Sequence, residues 1–423
     1  MFKILTTKRF LLFCTTAVGL LALSAFAFVQ NSTAQPVPLF TPLAEDTAAT
    51  ANANDPLAEQ YADQPGLLVR RQYTAVDTAA LQNGTAERLT VTFFEGEEFT
   101  LIHRRTDRHD KGFVWVGYLE GLPEQSDVSF SVYDGVLVGS FNALSRSYKI
   151  RPVNEQTPSQ AAIEHLNYGA FPPAAEPILP PDLPESLPQP DPNSPNSDDG
   201  SVIDIMVVYT PKARNSMGGT AASQALITLA TSETNTGYDN IQIAPNVNLV
   251  YMGEINYTEV GFSTDLDRLR GTSDGYMDSV HTLRDTYHAD LVVLLIDEPT
   301  YCGLAYLMTN NNVGFASNAF AAVHYTCATG YYSFGHEMGH NMGNQHDRLN
   351  GGNGGVYSYS YGYQNLLGGF RTVMAYNCPV VGCTRLNYYS NPNVLVGGRP
   401  TGAGQNEADS AYNALSMNNV AFT

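Results

Sequence analysis

Apolar residues recur along this chain in two different patterns. Between about residues 63 and 153 they come in short runs broken by polar positions. Leu89, Val91 and Phe93 alternate with Thr90 and Thr92, a second run covers 113–118, and runs at 128–133 and 136–141 flank Asp134-Gly135. Asp-Gly tolerates the positive φ values of a two-residue hairpin, so the last two runs predict antiparallel strands joined by that turn. Residues 28–170 therefore read as a small, mostly β domain. From about residue 201 the pattern changes. A continuous apolar run at 202–209 predicts a buried strand, and 220–236 and a stretch within 264–288 follow helical spacing. Further strands are predicted at 247–251, 290–296 and 319–324, a helix at 331–342 and a closing helix at 407–420. The segment between the last two helices is rich in Gly, Tyr and Asn and predicts irregular chain. Residues 201–423 thus form one α/β domain.

Residues 171–200 lie between these regions and hold ten of the 24 prolines. Such a stretch cannot bury enough apolar surface to order itself, which predicts an extended, protease-accessible linker. A rigid spacer between two permanent domains is the other reading.

The first residues carry Lys3, Lys8 and Arg9, then an apolar run at 10–28 with Ala25 and Ala27 at its end. This is the pattern of a secretory signal peptide over residues 1–27, and it places the mature protein outside the cell. Four cysteines then remain: Cys302, Cys327, Cys378 and Cys383. An even number in an exported chain predicts two disulfides with three possible connectivities; proximity favours Cys302–Cys327 and Cys378–Cys383. The net charge of −19, from 22 basic and 41 acidic residues, excludes nucleic acid and anionic membrane surfaces as partners. No stable membrane association is expected after signal removal.

The chemistry is concentrated in His336-Glu337-Met338-Gly339-His340-Asn341-Met342-Gly343-Asn344-Gln345-His346, which fits H-E-x-x-H-x-x-G-x-x-H. Residues four apart on a helix differ by roughly 40° of rotation, so His336 and His340 project together from one face. Gly343 falls where the helix must end in a left-handed turn, and the returning chain offers His346. Three neutral imidazoles that leave one position open are the donor set of a single catalytic zinc ion, since structural zinc sites close all four positions. Glu337 is then the general base for a water at the open position. Asp347 is a candidate supporting carboxylate or a turn residue.

About thirty residues downstream, Met374 sits in Thr372-Val373-Met374-Ala375-Tyr376. Alone it would be a core gap-filler; after the histidine motif at this distance it resembles a Met-turn. The region from residue 201 onward resembles the metzincin zinc endopeptidases. Asp347 after the third histidine points to the reprolysin-like branch. The segments 203–211 and 302–306 make it similar to bacterial peptidyl-Asp metalloendopeptidases. The resemblance implies a metzincin-type α/β catalytic domain: a twisted mixed sheet with helices and an irregular C-terminal lobe, preceded by a β-rich propeptide. It also implies protein or peptide substrates cut before Asp. Tyr376 stands where astacins and serralysins carry a zinc-approaching tyrosine; zinc binding, oxyanion binding and packing are all open to it. An acidic side chain just past the scissile bond needs a cationic partner. Arg385, eleven residues beyond Met374, is the first candidate, with Arg371 and Arg348 behind it. A propeptide without cysteine must block the cleft by other groups, with Asp107, His109 and Asp110 as candidates. The rival function is a secreted adhesion or binding module with a structural zinc.

Overall fold

The computed structural model describes residues 38–180, 202–352, 354–380, 382–421 and 423. The expected signal peptide and residues 181–200 of the expected linker lie outside them. The N-terminal runs become β1 (Phe40–Pro42), β2 (Leu68–Val76), β3 (Arg88–Phe94), β4 (Glu97–His109), β5 (Gly112–Leu119), β6 (Asp127–Tyr133), β7 (Val136–Ala143), β8 (Arg146–Pro152) and β9 (Gln160–Leu166). They form one antiparallel sheet in the order β1-β2-β9-β8-β7-β6-β5-β4-β3, with helix α1 (Glu45–Ala53) beside β2. Asp134 and Gly135 adopt φ of 47° and 79°, the positive pair that the β6–β7 turn requires.

The second region holds β10 (Val202–Tyr209), α2 (Pro211–Met217), α3 (Thr220–Ile241), β11 (Asn246–Glu254), α4 (Phe262–Arg270), α5 (Asp278–Tyr287), β12 (Leu291–Ile296), β13 (Gly303–Ala305), β14 (Phe320–His324), α6 (Tyr325–Ala328) and α7 (Ser333–Asn341). Its sheet runs β11-β10-β12-β14-β13; the first four strands are parallel and β13 is an antiparallel edge. The strands β12 and β14 are buried at every position, as parallel strands roofed by helices must be. Beyond α7 come only short pieces: β15 (Gln345–Asp347), β16 (Tyr361–Gly362), β17 (Gln364–Asn365), β18 (Phe370–Arg371), β19 (Thr384–Arg385), β20 (Leu395–Val396) and β21 (Arg399–Pro400). The closing helix α8 (Asn413–Val420) starts later than its apolar pattern predicts. Glu407 folds its carboxylate onto the Gly404 N–H at 2.9 Å, which makes a turn there instead.

Two expectations change. The N-terminal sheet is not a separate small domain, because residues 38–423 make one compact unit. Phe93, Trp115, Phe130 and Tyr148 fill a core on one face of that sheet. Val114, Val116, Tyr133, Val136 and Val138, on the other, share a core with α3 and the second sheet. The polar positions of β6 and β7 therefore meet α3, not water: Ser131 bonds Thr228 at 2.8 Å, and Ser140 bonds Glu233. An unmade bond at such a buried site costs about 1–3 kcal/mol, so these pairs hold the register of sheet against helix. The linker also behaves differently over 171–180. Pro173 O accepts from Cys302 N, Ala175 N and Ile178 N donate to Gly303 O and Ala305 O, and Ile178 O accepts from Leu307 N, all at 2.9–3.0 Å. This stretch lies along β13 and the residues after it through these backbone bonds, with one isolated parallel bridge between Ile178 and Tyr306.

Candidate active site

Helix α7 carries His336 and His340, and the chain leaves it through Gly343 at φ 79°. A Cβ there would lie 2.5 Å from Val356 Cγ1 and 3.1 Å from Met308 O, so both the turn and the packing select glycine. Strand β15 then returns His346 to the same point. The three Nε2 atoms lie 3.1–3.2 Å from one another, in fully buried rings.

The far side of each ring decides what those atoms can do. His336 Nδ1 faces Val373 O at 2.8 Å and His340 Nδ1 faces Asn344 O at 2.7 Å. A carbonyl only accepts, so the His340 ring carries its proton on Nδ1 and turns a bare lone pair inward; His336 Nδ1 faces both its carbonyl and Arg385 Nη2, a donor at 2.6 Å. Burial pushes both rings well below the usual histidine range, which keeps them neutral. Converging lone pairs repel and find no hydrogen-bond solution among themselves. An ion roughly 2.0–2.1 Å from each nitrogen resolves this, and the donor set fits zinc. Among the described residues these three histidines are the one group placed to hold a metal.

Glu337 follows His336 on the helix. Both carboxylate oxygens are buried and have no partner among the described residues. Burial pushes the group well above the usual carboxylate range, opposed by the charge of Arg385. Its side chain lies against Gly303 of β13, where a Cβ would stand 2.3 Å from Oε1. Gly303→Ala is therefore expected to keep the bound metal but displace the carboxylate, lowering kcat about 10–100-fold; metal content and steady-state kinetics measure the two effects.

The Met-turn supports the site from below. Met374 is fully buried, and its Sδ would meet a Cβ on Gly339 at 2.5 Å, so sulfur and helix backbone pack directly. Asp347 accepts from Tyr376 N at 3.0 Å and from Leu349 N at 3.1 Å. It thus acts at once as turn residue and as the tie between β15 and the Met-turn. The Tyr376 ring packs on His346 with centroids 4.0 Å apart, and its hydroxyl donates to Ala174 O at 2.8 Å. Packing is the role seen here.

Several candidates stand elsewhere. Arg385 is buried behind His336, where it borders a cavity; it donates to Val373 O at 2.9 Å and Tyr331 O at 2.8 Å, and its Nη2 comes within 2.6 Å of His336 Nδ1. Arg348 binds the carbonyls of Ser358 and Ser410. Asp107 is taken by Arg105 and Ser232, His109 stacks on Tyr133, and Asp110 joins them beside β11, so none of the three approaches the histidines. The carboxylate that does approach is Glu176, with Oε1 3.6 Å from His346 Nδ1. No motif marks Glu176 or Tyr331, and Gly303 was marked only through the resemblance of segment 302–306. Glu176 and Gly303 reach the site through backbone pairing along β13, which local spacing does not encode. Both expected disulfides, Cys302–Cys327 and Cys378–Cys383, are formed; the first joins the start of β13 to α6, just ahead of the histidine helix.

Comparison with known proteins agrees with this geometry. The family model Reprolysin_5, metallo-peptidase family M12, matches residues 199–390. A peptidyl-Asp metalloendopeptidase of Xanthomonas campestris pv. campestris is 33% identical over 406 residues, covering 92% of this chain and 93% of the relative. One from Stenotrophomonas maltophilia (strain K279a) is 35% identical over 388 residues, 87% and 89% of the two chains. A further one from Pseudomonas fragi is 38% identical over 164 residues, 38% of this chain and 84% of that one. Matched along nearly its whole length, the chain belongs to the peptidyl-Asp metalloendopeptidases and is a zinc metalloendopeptidase acting on proteins or peptides.

Proposed function

We propose that the protein is a secreted endopeptidase, made as a latent precursor, that cuts peptide bonds in front of Asp. His336, His340 and His346 hold one zinc, and Glu337 is the general base. The observation that carries this reading is the set of three converging imidazole nitrogens on a helix whose Glu337 is buried with no partner among the described residues. Zinc bound there supplies Lewis acidity, lowering the pKa of a water and polarising the scissile carbonyl. Glu337 would take a proton at an Oε atom from the attacking water and return it to the leaving amine. A structural brace needs no such carboxylate, which counts against the adhesion-module alternative. Casein digestion with and without a chelator separates the two; a folded, metal-loaded protein that cleaves nothing would rule out the protease. Export is supported by the signal pattern at 1–27 and by the two disulfides, which persist in oxidising compartments. No helix among the described residues is long and apolar enough to cross a membrane.

Latency is supported by the 173–178 stretch. It uses the backbone groups of edge strand β13, the same groups an extended substrate would need. It also occupies the Tyr376 hydroxyl and covers His346 with Glu176. Cleavage within 181–201 is expected to release it. N-terminal sequencing of the active secreted form should give a start near residue 201; a fully active protein beginning near Phe28 or Gln35 would contradict latency.

A further inference from the structure

Arg371 and Arg385 are register partners on the parallel strands β18 and β19. Like charges placed side by side in a ladder are destabilising, and these two are also buried, at 4% and 3% exposure. Among the described residues no carboxylate pairs with either. Arg385 is committed to the carbonyls of Val373 and Tyr331, and so braces the chain behind His336. Arg371 is less committed. It donates to Ala375 O and, at 3.1 Å, to the Tyr331 hydroxyl, while its Nε is buried without any partner. The Tyr331 ring lies near both guanidinium groups, 5.6 Å from the carbon of Arg371 and 5.0 Å from that of Arg385.

A cavity of about 480 Å³ lies against both arginines. The opposite wall belongs to the N-terminal region and carries its two carboxylates: Glu124 accepts from Gly397 N at 3.0 Å, and Asp127 accepts from Asn387 Nδ2 at 2.7 Å while its Oδ1 has no partner among the described residues. Tyr168 of the N-terminal region also lines it, and Phe171 stacks on Tyr331 at 4.3 Å. The chain that covers β13 therefore also covers the arginine pair.

We infer that Arg371, held beside Arg385 and Tyr331, is the residue that binds the acidic side chain of the substrate, in a pocket that Tyr168 and the N-terminal residues around it close in this structure. This rests on the endopeptidase reading above and names the residue that would select Asp. A carboxylate entering the pocket meets the free Nε of Arg371 and the positive charge of both arginines, and relieves their repulsion. The chemistry is that of a carboxylate, which a peptide's free C-terminus could also supply; the inference commits to the side chain.

The test uses the active secreted enzyme from full-length expression and amidated peptides differing only after the scissile bond, with Asp or Asn there. A matching free-acid peptide with Asn serves as the terminal-carboxylate arm. Wild type is expected to prefer Asp over Asn in kcat/KM by at least tenfold. Arg371→Gln should shrink that ratio about 10–100-fold with zinc content retained, and Arg371→Lys should shrink it less, since a point charge replaces a fork. An Asp/Asn ratio unchanged in Arg371→Gln overturns the assignment. Should that variant fail to fold, an unchanged ratio in Arg371→Lys overturns it equally. Preference for the free acid over the amide, without side-chain preference, overturns it in favour of a terminus-binding site. Wild type that cleaves both amidated peptides equally removes the pocket and leaves the endopeptidase; zinc-loaded wild type that cleaves none of them removes both.

Discussion

Glu337→Gln is expected to keep about one zinc per chain and to lose 10³–10⁴-fold in kcat, the size of a general-base contribution near its upper end. The reason lies in what surrounds the carboxylate. Both oxygens are buried and unpartnered, so the amide meets the same empty contacts and pays no lost hydrogen bond on folding. The fold and the three imidazoles are left as they were, and only the capacity to take and return a proton is gone. Metal analysis with peptide kinetics on the variant and the wild type decides it. Full turnover in Glu337→Gln would move the base elsewhere.

His340→Ala should lose metal and activity together. His340 Nε2 lies 3.1 Å from each of the other two, so its removal opens the triangle and leaves two donors for an ion that prefers at least three protein ligands in such sites. Because metal binds the native state, its loss also lowers the thermal midpoint by mass action, and added zinc should raise the midpoint of wild type but not of the variant. A variant that still binds zinc stoichiometrically would show that His340 is not a ligand. Together the two substitutions separate the holding of the metal from the moving of the proton.

The metal triad could be read from the chain because it is built almost wholly from local geometry. His336 and His340 share a face through helical pitch, Gly343 permits the turn, and three residues later His346 is back at the same point. Asp134-Gly135 was legible for the same reason, and so were the two disulfides, whose partners are close in sequence. The Met-turn was legible only through its distance from the motif. Its physical content, Met374 against Gly339 and Val373 O against His336, appears only once thirty intervening residues are folded.

The sequence by itself determined the convergence of three histidines, the buried carboxylate that follows the first of them and the class of the peptidase fold, because each depends on residues within about a dozen positions or on a periodicity that repeats. Alternation showed that β6 and β7 were amphipathic; it could not say that α3, a hundred residues on, covers the polar face, since a serine bonded to a buried threonine and a serine bonded to water have the same pattern. Arg385 illustrates the same limit. Its distance from Met374 placed it near the site, yet only the β18–β19 register shows that Arg371 lies beside it and that carbonyls occupy the guanidinium of Arg385. The stretch 171–180 reads as linker by its prolines, but proline leaves carbonyl acceptors intact and fits an edge strand, and the open edge of β13 decides that the chain lies there. Tertiary structure alone settled these points because an edge, a face or a buried charge is satisfied by whatever folds against it, and that partner lies far away in the chain.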